Sequence, residues 1–106
     1  MPEVPTPVRR LLDASNAGDH TRFLDSFTAD GAVDDWGRVF RGRTAIGEWS
    51  AAEFIGKQVT VAPTSVTDTG EGTVVIGQVG GNGFNGPSTF TFRVDGDQVS
   101  LMTIRE

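Results

Sequence analysis

The 106-residue chain has no cysteine, no tyrosine and a single histidine. Without cysteine there are no disulfide staples, no thiolate zinc ligands and no thiol nucleophile. One histidine cannot supply a usual transition-metal site, and the acids fall singly or in turns, without the ligand spacing of a calcium loop. No metal is expected. The missing tyrosine removes a common phenolic donor from any oxyanion site. Nine basic residues face fourteen acidic ones, for a net charge of −5. The basic residues are scattered, so a phosphate backbone finds no electrostatic footprint and nucleic acid is not an expected partner. No apolar run approaches the roughly 20 residues of a membrane span. The opening MPEVPTPVRRLL has no apolar core of signal-peptide length, so a cytoplasmic protein without membrane contact is expected.

What is present suffices for one small domain over residues 1–106. Apolar residues make up 37% and charged residues 22%, which is ordinary for a globular chain. Folding at this length buries roughly 65% of the extended surface, a real but thin core.

Along the chain, TPVRRLLDASNAGDH reads as a helix. Thr6 can cap it, Pro7 suits its first turn, Val8, Leu11, Leu12 and Ser15 share a face, and Gly18 can take the left-handed stop. Asp19 can cap a second helix with Phe23, Leu24 and Phe27 on one side, ending at Gly31. AVDD and RVFRG are two short strands about a Trp36-Gly37 turn. Thr44 can cap a third helix reaching about Phe54, with Ile46 and Trp49 on its apolar side. Four strand segments follow, KQVTVAPTSVTD, GTVVIGQVG, PSTFTFRVD and QVSLMTIRE, parted by turn residues. The order α-α-β-β-α-β-β-β-β is an α+β fold, with one mostly antiparallel sheet and helices on one face.

STFTFRV alternates, putting Phe90, Phe92 and Val94 on one side. TVVIGQV is apolar on both sides, with Val74 and Ile76 on one and Val75 and Val79 on the other. Helices can cover only one face. Val75, Val79 and part of the last strand are therefore expected to face a partner copy, giving a homodimer through the sheet.

GNGFNG, residues 81–86, matches G-x-G-x-x-G literally. A dinucleotide fingerprint needs a following helix to hold the pyrophosphate. Pro87 and an alternating strand follow instead, so the stretch reads as a loop between strands, with Phe84 as a pocket cover, and no cofactor is expected. His20, in the first turn of the second helix, reads as solvated. The serines have no G-x-S-x-G setting and no evident base.

VDDWGRVFRGR, residues 33–43, carries the chemistry. Strand alternation sends Asp34 and Asp35 to opposite faces. Asp35 and Arg38 flanking the turn can form a cross-strand ion pair, or Asp35 can be a buried functional acid. Periodicity leaves both open.

LLDASNAGDHTRFLDSFTADGAVDDWGRVFRGRTAIGEW resembles the N-terminal half of the SnoaL-like group of the nuclear transport factor two-like superfamily. NAGD between two helices, FTADGAVDD leading into the first strand and RGRTAI opening the third helix carry the likeness, and the strand half matches in pattern. The resemblance implies a cone-shaped, cystatin-like α+β barrel with an apolar interior pocket, frequent dimers through the sheet, and members that include polyketide cyclases and ketosteroid isomerases. It puts Asp35 at the place of the isomerases' general base, facing inward. The isomerases' tyrosine and protonated aspartic acid fall at about Leu11 and Phe90, so steroid isomerisation is not implied.

Two readings result. One is an isomerase- or cyclase-type enzyme, with Asp35 as base and Gln78 as donor to the substrate oxygen. Its small apolar or carbonyl-containing ligand would be lined by Phe23, Phe27, Trp36, Trp49, Phe54, Phe90 and Met102. The other is a non-catalytic dimeric ligand-binding or interaction module of the same fold.

Overall fold

The computed structural model describes residues 4–69, 72–83 and 85–105. Helix α1 (Thr6–Ala17) begins after Pro5, with Pro7 in its first turn and no side-chain cap, and Gly18 stops it at φ 71°. Helix α2 (His20–Asp25) is capped as its sequence suggests, Asp19 accepting from the Arg22 N–H at 3.1 Å. It is shorter than expected. The Ser26 N–H closes on Arg22 and Phe23 carbonyls, and strand β1 (Phe27–Asp35) starts at once. Phe23 and Phe27 share a face in either state, which is why the helical period ran on too far. What turns Phe27 into a strand is distant: Val99 N–H donates to Ser26, and the Gln98 side chain to the Asp25 and Phe27 carbonyls.

Strand β2 (Arg38–Arg41), helix α3 (Arg43–Glu53) and a 3-10 turn (Ile55–Lys57) follow. Gly42, at φ 87°, precedes α3 in place of a Thr44 cap. Then come β3 (Thr60–Thr69), β4 (Gly72–Gly80), β5 (Gly86–Asp95) and β6 (Gln98–Arg105). The six strands run β2-β1-β6-β5-β4-β3. Among the described residues only the β1–β6 pair is parallel. Register shifts interrupt β1, β3 and the β5–β6 pair, and such bulges bend strands. The expected α+β architecture is the observed one.

The inner face of the sheet, against α1 and α3, carries Val33, Val61, Val75, Val79, Phe90, Phe92 and Met102, all buried. Gly77 belongs to this row, since a Cβ there would meet the Val61 side chain at 2.7 Å. Two expectations about faces are corrected. Val75 and Val79 lie under the helices, while Val74, Ile76 and Gln78 form the outer row. Val94 leaves the Phe90–Phe92 row because the shift between Arg93 and Val94 breaks the alternation.

Asn16, the first residue of NAGD, fastens α1 to the edge strand β3. Its amide donates to the Val61 carbonyl at 3.0 Å and accepts from the Val61 N–H at 2.8 Å.

Candidate functional site

The β1–β2 turn is built from Asp35, Trp36, Gly37 and Arg38, with Asp35 paired to Arg38 across it. Trp36 and Gly37 both have positive φ, 55° and 89°. That is the mirror-image turn that matches strand twist. A bulky residue rarely takes this conformation, and here Asp34 Oδ1 holds the turn by accepting from the Gly37 N–H at 2.8 Å.

The two aspartates part as alternation demands. Asp34 points to the outer face and pairs with Arg105 Nη1 at 3.0 Å. That hydrogen bond, then the Gly37 N–H, hold its carboxyl below the usual range. The partner is not one of the arginines of the turn but a residue of β6, delivered by the parallel β1–β6 pairing.

Asp35 points to the inner side, where its Oδ2 accepts from Trp49 Nε1 of α3 at 3.1 Å and from Arg38 Nη2 at 2.6 Å. Its side chain is 17% exposed. The Arg38 guanidinium also forks onto Glu53, the last residue of α3, at 3.0 and 2.8 Å. Glu53 first, then Asp35, hold Arg38 protonated more firmly than usual, and Arg38 in turn lowers the Glu53 carboxyl. Arg38, the ionic partner of Asp35, is thus shared between two carboxylates on different elements.

Behind this polar trio runs a ladder of rings. Phe40 packs on Trp49 at 6.0 Å between centroids, Trp49 stacks on Phe54 at 5.0 Å, Phe54 meets Phe23 at 5.7 Å, and Phe23 meets Phe27 edge-on at 5.3 Å. Phe90 and Met102 are buried in the same core. Six of the seven residues expected to line a pocket are therefore interior, four of them in one continuous stack. The seventh, Trp36, is 58% exposed at the turn and does not join them. Gln78 is exposed on the outer face of β4 and cannot donate to a group held beside Asp35.

Sequence reasoning missed Glu53 and Phe40. Glu53 meets Arg38 only because α3 folds back across the β1–β2 turn. Phe40 lies inside RVFRG, between Val39 and Arg41, in a stretch that its arginines made look polar. The glycine-rich stretch after β4 leads directly into β5, and Phe84 lies outside the described residues. His20 is exposed. Among the described residues no group of three or more metal-ligating side chains converges, and no helix is long and apolar enough to cross a membrane. Open grooves of about 580 and 710 Å³ lie away from the ring ladder, near Asp68 and Asp95 and near Arg10 and Asp25.

A family described as SnoaL-like domain matches residues 8–105. A search of curated proteins gives no match. Among solved structures, a protein of Sinorhizobium meliloti described as a candidate polyketide cyclase is 24% identical, with a TM-score of 0.87 over 96% of this chain and 95% of that one. A protein of Catenulispora acidiphila with a ketosteroid isomerase-like fold, in complex with trimethylamine, is 22% identical, with a TM-score of 0.81 over 98% and 87%. A Mycobacterium tuberculosis protein in complex with estradiol-17beta-hemisuccinate is 17% identical, with a TM-score of 0.76 over 92% and 88%.

Proposed function

The chain belongs to the SnoaL-like domain family, and from that premise we propose that it is a small-molecule-binding domain whose ligand site is the mouth between the β1–β2 turn and α3. The observation that carries this reading is Asp35, a carboxylate 17% exposed that accepts from a buried indole at the polar end of a ladder of rings. Rings at such a mouth suit a small, largely apolar ligand, and a few placed polar groups fix its orientation. The Arg38 guanidinium spends three of its five N–H groups on Glu53 and Asp35, leaving Nε–H and one Nη1–H for a ligand carbonyl. That relatives of the same fold hold trimethylamine and a steroid conjugate supports a binding role.

Binding is favoured over proton abstraction. A base must be free to take a proton, and Asp35 is engaged by Arg38 at 2.6 Å and by Trp49. The positions where the isomerases hold a developing enolate, about Leu11 and Phe90, are buried apolar residues, which leaves that charge only Arg38, already committed to two carboxylates. An isomerase- or cyclase-type reaction would require Asp35 to be released from Arg38 first.

A second copy of the chain on the outer face completes the proposal. Val74, Ile76 and Leu101 stand there among Thr89, Thr91 and Thr103, and Ile76 is 40% exposed.

Titration with small aromatic and alicyclic ketones, read by Trp49 fluorescence in a Trp36→Phe background, tests the site. Asp35→Asn is expected to weaken binding about tenfold, because it loosens the charged hydrogen bond that holds Arg38, the donor to the ligand carbonyl, in place. Equal affinity in the two proteins, or ligand binding without any Trp49 response, would place the ligand elsewhere.

A further inference from the structure

The polar end of the ring ladder is covered by one flexible side chain. Arg38 leaves the edge strand β2, touches Asp35 on β1, and reaches Glu53 at the end of α3. On the way its guanidinium carbon stands 5.6 Å from the centre of the Phe40 ring, and Phe40 packs on Trp49. Phe40 is half-buried and Trp49 buried, and the group set over the Phe40 ring is thus a side chain rather than backbone.

We propose that Arg38 is a gate over this mouth, hinged on Asp35 and latched to Glu53, and that a ligand reaches the rings when the latch to Glu53 opens. The proposal rests on the reading of the mouth as the ligand site and adds how access to it is controlled.

The two contacts of Arg38 differ in the way a hinge differs from a latch. Glu53 is 43% exposed and Arg38 itself 54%. Ion pairs this open to water are weak and are broken by thermal motion, and exposed side chains change rotamer within nanoseconds. Asp35 is far better covered and is held from behind by the Trp49 indole, so it keeps its place while Arg38 moves. The resting place of Glu53 is unfavourable in itself, because a negative charge at a helix C-terminus opposes the helix dipole. When Arg38 leaves, Lys57 is within Coulombic reach of Glu53 and offers it a second cation. Opening therefore strands neither carboxylate. A pair too exposed to stabilise the fold much can still decide where one side chain rests.

The test uses Trp36→Phe, which leaves Trp49 as the one tryptophan of the two in the chain. Acrylamide, a neutral quencher, reports access to Trp49. The neutral dye N-phenyl-1-naphthylamine, followed by stopped flow, reports entry to the site. Glu53→Gln is expected to raise both the quenching constant and the dye association rate about threefold, in keeping with the strength of an exposed ion pair. The dissociation rate should rise in parallel and the melting temperature should not move. Arg38→Ala should do at least as much. Glu48→Gln, an exposed acid on the same helix, should do neither. Quenching that stays unchanged in both Glu53→Gln and Arg38→Ala overturns the gate, whatever the dye does. Raised quenching in proteins that take up neither the dye nor ketones supports the moving cover and overturns the ligand-site reading instead.

Discussion

Residues one position apart in this sheet meet two different environments. In β4, Val75 is fully buried beneath the helices while Ile76 is 40% exposed on the outer face. In β1, Asp35 turns inward to an indole and a guanidinium, while Asp34 turns outward to Arg105 and the turn backbone. The two faces differ less in composition than in what lies over them, for both rows of β4 are apolar. Inside, α1 and α3 press apolar rows together, and a charged group at the margin, Asp35, is tied on both sides. Outside, valine, isoleucine and threonine stand open and the charges pair along the strands. The role of a side chain here is set by its parity in the strand and by the single fact of which face the helices chose.

The strongest way to break this comparison is a charge in each row. Val75→Asp should unfold the domain, since a carboxylate without a partner in the core costs several kcal/mol, about as much as a small domain has to spare. Ile76→Asp should leave the stability of the folded monomer within about 0.5 kcal/mol, as surface changes usually do. It should nevertheless split a dimer formed through the outer face, as light scattering would show. Comparable destabilisation by the two substitutions would mean that the outer face is covered in the folded monomer. Asn16→Ala probes how the inner face is held at its edge. It removes two hydrogen bonds to Val61 and should cost about 2 kcal/mol, about 1 for each bond, measured by urea unfolding. A cost near zero would show that apolar packing alone holds β3 to α1.

Much of this was legible beforehand, and the failures are instructive. The four C-terminal strands, the Gly18 stop, the Asp19 cap and the opposite headings of Asp34 and Asp35 follow from local chemistry, which the sequence states directly. Which row of β4 faces in does not. Period-2 alternation assigns Val75 and Val79 to one face and Ile76 and Gln78 to the other, but the covered row is set by helices placed from far along the chain. The same limit misplaced Gln78 as an inward donor. It also stretched α2 through Phe27, because the competing strand is stabilised by residues about 70 positions away. The Asp35–Arg38 contact was visible across its two-residue turn. Glu53, which converts that pair into a bridged trio, was not, since no local pattern joins a strand turn to the far end of the next helix.

Asp34 gives the smallest effect and the sharpest sign. Its carboxyl is held below the usual range by Arg105 and by the Gly37 N–H, so the folded protein binds its proton more weakly than the unfolded chain, whose aspartates titrate near 3.9. Stability from this group is therefore complete above about pH 5 and is lost as pH falls through the unfolded value toward the lowered folded one. Its partner Arg105 is partly exposed, 42% against 24% for Asp34, so screening limits the contribution to under about 1 kcal/mol. Asp34→Asn should lower stability by that amount at pH 7, and the gap to the unaltered protein should close as pH drops below 4. Raising the salt concentration at pH 7 should narrow it as well, because the pair is open to solvent. A gap that persists in acid would mean that the substituted amide fails at the turn, where Asp34 Oδ1 accepts from the Gly37 N–H. The turn, rather than the ion pair, would then be what Asp34 contributes.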